Sequence, residues 1–270
     1  MLLRRITEQV KTQNWFAVAL DFIIVVAGVG FAMYGQQWLS EREQRADLAT
    51  AETALQGDLL QNYYNAKERL AKAQCRIDTY EAVAAQLLEP GEDWVGVARL
   101  NTDETFRQAL PAVFRAPNRV WGSIVWEAEL AKGTFTQMTD ERRTNFGLLF
   151  KQSLHAEQLQ DDIFTLQGRL KALAVATTMN QSNKLRYYEV LGEMDDKSAL
   201  LELISGQIIE QIEEIGFDAQ LIEMLLSTLE TATISDFQTN FNENGQTIYG
   251  PCFLPTDFSA LDGSVSEEQN

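Results

Sequence analysis

The chain has 270 residues, 45% apolar and 23% charged, with only 5 prolines, which excludes a disordered proline-rich protein. Its formal net charge of −17 repels phosphate and argues against a nucleic-acid partner. One histidine and two cysteines are too few for a structural zinc site of the usual types.

Residues 1–14 carry Arg4, Arg5 and Lys11, with Leu2, Leu3, Ile6 and Val10 along one side. That pattern predicts a short cytoplasmic segment lying on the anionic inner leaflet, with membrane lipid as its partner. Trp15 to Tyr34 follow as 20 apolar or small residues broken only by Asp21. At about 1.5 Å per residue such a helix is roughly 30 Å long, the thickness of the hydrocarbon layer. Trp15, Tyr34 and Trp38 stand where interfacial aromatics belong. Residues 15–35 therefore read as a transmembrane helix. A cleaved signal peptide is the competing reading, with Gly30-Phe31-Ala32 as its cleavage site. The length of the apolar run and the presence of Asp21 favour an uncleaved anchor.

Three basic residues precede the span and two, Arg42 and Arg45, follow within 14 residues. The bias puts the N-terminus in the cytoplasm and the remainder in the periplasm of a bacterial inner membrane. From Gly35 onward the chain has 19 basic and 37 acidic residues, a net −18. Within the span, Asp21, Gly28, Ala32 and Gly35 fall in one stripe at 3.6 residues per turn. Gly28 and Ala32 form a small-xxx-small pair that lets another helix approach. The expected partner is a membrane protein or a second copy of the chain. The alternative is an acid that snorkels, or stays protonated, on a plain anchor.

Leu2-Leu3-Arg4-Arg5-Ile6, Lys11, Gln13-Asn14-Trp15 and Ala17-Val18-Ala19-Leu20-Asp21-Phe22-Ile23-Ile24-Val25-Val26 resemble the opening of an uncharacterised proteobacterial family. The resemblance is specific over about the first 45 residues. It implies a single-span inner-membrane protein with a helical periplasmic domain, and no activity.

Between Ser40 and Leu88 there is no proline. Leu59, Tyr63, Ala66, Leu70, Ala73, Ile77, Tyr80, Ala84 and Leu87 alternate spacings of 4 and 3, the seam of a long packed helix. It is expected to continue the span as a stalk and to end at Pro90-Gly91. Asn101-Thr-Asp-Glu104 reads as a capped start to a short helix reaching about Phe114, bent at Pro111. Asn118 is expected to cap the next, with Trp121, Val125 and Ala128 on one side and Gly133 as its C-cap. Thr139-Asp-Glu-Arg begins a second long helix, with Leu159, Ile163, Leu166, Leu170 and Leu173 on its seam. Shorter helices are expected over 182–191, 195–215 and 218–230. Residues 242–270 read as a turn-rich, partly disordered tail. The predicted fold is all-α: a membrane helix continuing into a stalk, and a helical bundle over 36–241 built around two long antiparallel helices.

No nucleophile–base set, metal motif or phosphate loop appears, so no catalytic residue, metal ligand or cofactor is expected. His155 reads as a surface or partly packed histidine. Asp161-Asp162 and Asp195-Asp196 read as solvated acids, since neighbours on a helix do not share a face. Trp94, Trp121, Trp126, Phe106 and Phe114 read as core. As a pocket, they would set Arg107, Arg115 and Arg119 to meet an anion. Cys75 and Cys252 are expected to form a disulfide on the oxidising side of the membrane. The leading function is a non-enzymatic accessory, scaffold or assembly partner of an inner-membrane complex. The alternative is a periplasmic small-molecule sensor that signals through a partner.

Overall fold

The computed structural model describes residues 15–97, 114, 119–229 and 231–262. The fold is all-α, with one two-residue antiparallel ladder, β1 (Asp93–Trp94) against β2 (Thr177–Thr178). The chain divides into two compact units, residues 1–50 and 51–270. The interfacial segment 1–14 lies outside the described residues.

Helix α1 runs Trp15–Ala71 and is long and apolar enough near its N-terminal end to cross a membrane. In the first unit every residue from Phe22 to Tyr34 is exposed.

In the second unit α1 buries Ala51, Leu55, Leu59, Tyr63 and Ala66, a face repeating every three or four residues. The helix is interrupted at Lys72 and resumes as α2 (Ala73–Leu88). The interruption resets the phase: Cys75, Tyr80, Val83 and Leu87 are buried while Ile77, expected on the seam, is exposed. The helix ends before Pro90-Gly91, as the sequence predicts.

Helix α3 (Ile124–Lys132) starts later than expected, after Ser123, and its buried residue is Trp126; Ala128 is exposed. Trp121 is buried ahead of the helix, and Asn118 lies outside the described residues, as does the short helix expected from Asn101. Gly133 ends α3 in the left-handed conformation at φ 79°, which glycine adopts without the strain a Cβ would bring. Helix α4 (Asp140–Leu170) begins at the Thr139 cap, whose hydroxyl accepts the Arg142 N–H at 3.3 Å.

Helix α5 (Gln181–Ile215) is one helix where two were expected. Val190, Leu191, Met194, Ser198 and Leu201 bury a continuous face across Gly192, so packing overrides the glycine. Helix α6 (Ala219–Thr228) is capped by Asp218. The expected turn-rich tail from Asn242 is corrected by α7 (Ile234–Tyr249), capped by Thr233 and burying Phe237, Phe241 and Tyr249. Beyond it, Phe253, Phe258 and Leu261 are buried, and 263–270 lie outside the described residues.

Cross-helix pairs set the directions. Glu52–Arg142 (3.4 Å), Asn62–Ser153 (2.9 Å) and Arg69–Gln160 (3.3 Å) rise together along both chains, so α1 and α4 run parallel. Gln152–Gln207 (3.2 Å), Asp162–Lys197 (2.8 Å) and Arg169–Glu193 (3.8 Å) run oppositely, so α5 is antiparallel to α4. Tyr63–Glu213 (2.7 Å) and Arg76–Glu202 (2.8 Å) make it antiparallel to α1 and α2 as well. The antiparallel partner of both long helices is thus a third one, since α4 begins with Arg142 beside Glu52 and runs the same way as α1.

Candidate functional site

The cleft with the clearest binding character is built from two helix faces. Gly57, Leu60, Gln61 and Tyr64 lie at i, i+3, i+4 and i+7 of α1, and Phe237, Asn240, Phe241 and Asn244 repeat that spacing on α7. Tyr63, Arg119, Leu225, Leu229, Thr231, Phe258 and Leu261 complete a cleft of about 550 Å3. Rings form its floor edge to face: Phe258 lies 4.9 Å from both Phe237 and Phe241, at 75° and 74°, and Tyr64 lies 5.2 Å from Phe241 at 87°.

The segment after α7 is anchored by α7's own side chains. Gln238 accepts the Phe258 N–H at 3.0 Å, and Asn242 exchanges hydrogen bonds with the Thr256 backbone at 2.8 and 3.3 Å. Phe258 is thereby fixed in the wall. Tyr63 donates to Glu213 at 2.7 Å, and burial together with that carboxylate pushes its phenol pKa up.

Among the described residues one cation lines the cleft. Arg119 is held at its backbone by Gln160, which accepts its N–H at 3.2 Å and donates to its carbonyl at 2.8 Å. Its Nε and Nη2 donate to the two oxygens of Glu68 at 2.8 and 2.7 Å, a bidentate pair. Among the described residues Nη1 has no partner. The guanidinium lies 5.9 Å from the Tyr64 ring centroid. The hydrogen bonds to Glu68 raise its pKa, so it stays charged.

Of the three arginines expected at an anion pocket, Arg119 alone is described; Arg107 and Arg115, with Phe106, lie outside the described residues. The aromatic group expected beside them is core. Trp126 stacks on Phe135 at 4.7 Å and on Phe150 at 5.6 Å, Phe114 stacks on Tyr80 at 5.2 Å, and the Trp94 indole donates to the Leu173 carbonyl at 2.8 Å. Of the cleft's own rings, Tyr63 was expected only on the packed seam, and Tyr64, Phe237, Phe241 and Phe258 were not singled out from the sequence. The 237/241 spacing is their one visible signal, and it gains meaning only once that segment is a helix.

A row of buried ions crosses α1 and α2. Arg76 donates to both oxygens of Glu202 at 2.8 and 2.9 Å and also pairs with Asp195. Arg69 donates to Gln160, and its buried Nε has no partner among the described residues. Lys72 sits 5.8 Å from the Tyr249 ring, and burial drives its pKa well down, with Arg69 adding to the shift. His155 is exposed, and Asp162 pairs with Lys197. No cluster of three or more metal-binding side chains occurs among the described residues.

Cys75 and Cys252 are joined as a disulfide, with Cα atoms 5.0 Å apart. On the membrane stripe, Gly28 and Gly35 have nothing within 4 Å of where a Cβ would stand, and Ala32 is exposed. The side chain of Asp21 lies outside the described residues. Compared with protein-family models, curated proteins and solved structures, the chain matches none of them.

Proposed function

We propose that this is a non-enzymatic, single-span inner-membrane protein that serves as an accessory or assembly partner of a membrane complex, its N-terminus cytoplasmic and its helical domain periplasmic. The observation carrying the reading is the stretch Phe22–Tyr34, apolar and exposed throughout, with open glycine positions at 28 and 35. Lipid satisfies its apolar side chains, and the small residues admit a partner helix. The Cys75–Cys252 disulfide suits an oxidising compartment, and the basic residues before the span suit a cytoplasmic N-terminus.

Purification of the full chain from native membranes in mild detergent tests this. A stoichiometric membrane-protein partner or second copy, lost in Gly28→Ile, is the expected result. Recovery of the chain alone overturns it.

The cleft favours a second reading, a small-molecule sensor acting through a partner protein. Its volume falls within the roughly 300–1,000 Å3 typical of ligand sites.

A further inference from the structure

We propose that the cleft between α1, α6 and α7 binds a small apolar monocarboxylate, its hydrocarbon body against Leu60, Tyr64, Leu225 and Leu229 and its carboxylate on Nη1 of Arg119. The inference gives the second reading its ligand class and rests on that reading's premise that the cleft is a binding site.

The floor is already formed in the structure described. Tyr63 and Phe258 are fully buried and Phe237 and Phe241 nearly so, which fixes the backing of the floor, while Leu60, Tyr64, Leu225 and Leu229 supply the accessible apolar surface above it. The charge of the lining is equally specific. Among the described residues no carboxylate lines the cleft, in a chain with 39 acidic residues against 22 basic ones. Apart from the tyrosine hydroxyls and Arg119, its polar lining is the neutral set Gln61, Thr231, Asn240 and Asn244.

Glu68 fixes the plane of the Arg119 guanidinium through two nitrogens and leaves Nη1 with no partner among the described residues. A carboxylate there would gain a charge-assisted hydrogen bond to a group whose orientation is already set. The Arg119–Glu68 pair is formally neutral, so it supplies no spare positive charge to offset the steeper desolvation cost of a second ligand charge.

The test is calorimetric titration of the full chain in lipid nanodiscs, with empty nanodiscs as the baseline and 2-naphthoate as the probe. The neutral analogue 2-naphthalenemethanol and the dianion 2-naphthyl phosphate serve as comparators. The blocking variant is Gly57→Leu: Gly57 is in mid-helix with nothing within 4 Å of a Cβ, so leucine fits the backbone and projects into the cleft. One naphthoate per chain is expected, bound about tenfold more tightly than the alcohol or the phosphate, with binding lost in Gly57→Leu. If the alcohol or the phosphate binds as well as the acid and Gly57→Leu abolishes both, the cleft is a site but the monocarboxylate class is wrong. If none of the three probes binds, or naphthoate binds Gly57→Leu unchanged, the cleft is not a site and the sensor reading falls with it.

Discussion

The backbone N–H of Leu254 donates to the carbonyl of Ala71 at 2.8 Å, at the point where α1 is interrupted. Two chain segments 183 positions apart are thereby joined beside the Cys75–Cys252 disulfide, whose cysteines are 177 positions apart. The helix interruption, the backbone contact and the covalent link act on the same stretch, so the C-terminal strap is part of the core there.

Cys252→Ser should therefore destabilise the domain. For so long a loop the chain-entropy estimate is about 5 kcal/mol, and measured losses for native disulfides run about 2–5 kcal/mol. Chemical unfolding of the full chain followed by circular dichroism, with and without reductant, checks this. Reductant should bring wild type to the variant's midpoint and leave the variant unmoved.

A second prediction concerns Gly245 on α7. A Cβ there would clash with Cε1 of Phe253, which is buried. Gly245→Ala gains helix propensity yet should lose about 1–3 kcal/mol through overpacking. Gly245→Ala combined with Phe253→Leu should recover part of that loss, which a thermal melt of the four variants in the cycle measures.

Asn62 supplies the third. Its side chain accepts the Gly122 N–H at 2.7 Å and donates to the Gly122 carbonyl at 2.9 Å, standing in for a strand neighbour inside the bundle. Asn62→Leu leaves both backbone groups buried and unpaired, at about 1–3 kcal/mol each. Unfolding midpoints should show a larger loss for Asn62→Leu than for Ser153→Ala, which removes only one of the Asn62 contacts.

The long helices were legible because their apolar residues recur every three or four positions and their ends carry distinct signals: Thr139 before α4, Asp218 before α6 and Pro90-Gly91 after α2. The disulfide expectation rested on there being only two cysteines, both on the expected oxidising side of the membrane. What was not legible depends on tertiary packing. Gly192 looks like a helix end until the buried face on either side of it is seen to be continuous. The segment 234–249 is rich in asparagine, glutamine and threonine and contains Gly245, and its helical face is made of Phe237, Phe241 and Tyr249 meeting rings from other elements. The cleft was invisible for the same reason: its two walls lie about 180 residues apart.

The orientation drawn from Arg4, Arg5 and Lys11 gives a fourth prediction. Alkaline phosphatase fused after Glu89 should be active, and a reporter that matures only in the cytoplasm should be silent at that position. Charge reversal at Arg4 and Arg5 should weaken the difference, since the positive flank sets the orientation.

Lys72 gives the last, a pH dependence. It is almost fully buried, with Arg69 and Arg76 disfavouring its charge, Glu68 and Glu202 favouring it, and the Tyr249 ring nearby. Burial dominates and holds its pKa well below the ordinary 10.5. Between the folded value and 10.5 the unfolded chain binds the proton that the folded chain has released, so stability rises with pH across that window. Below the folded value the penalty of the buried charge is complete and constant. Lys72→Met keeps the aliphatic stem and removes the charge, so it should be more stable than wild type at the acidic end, with the advantage shrinking as pH rises. Urea unfolding of both proteins from about pH 6 to pH 9 reads the difference directly. Parallel profiles would mean that the folded chain holds the Lys72 proton as tightly as the unfolded one, with Glu68 and Glu202 offsetting the burial.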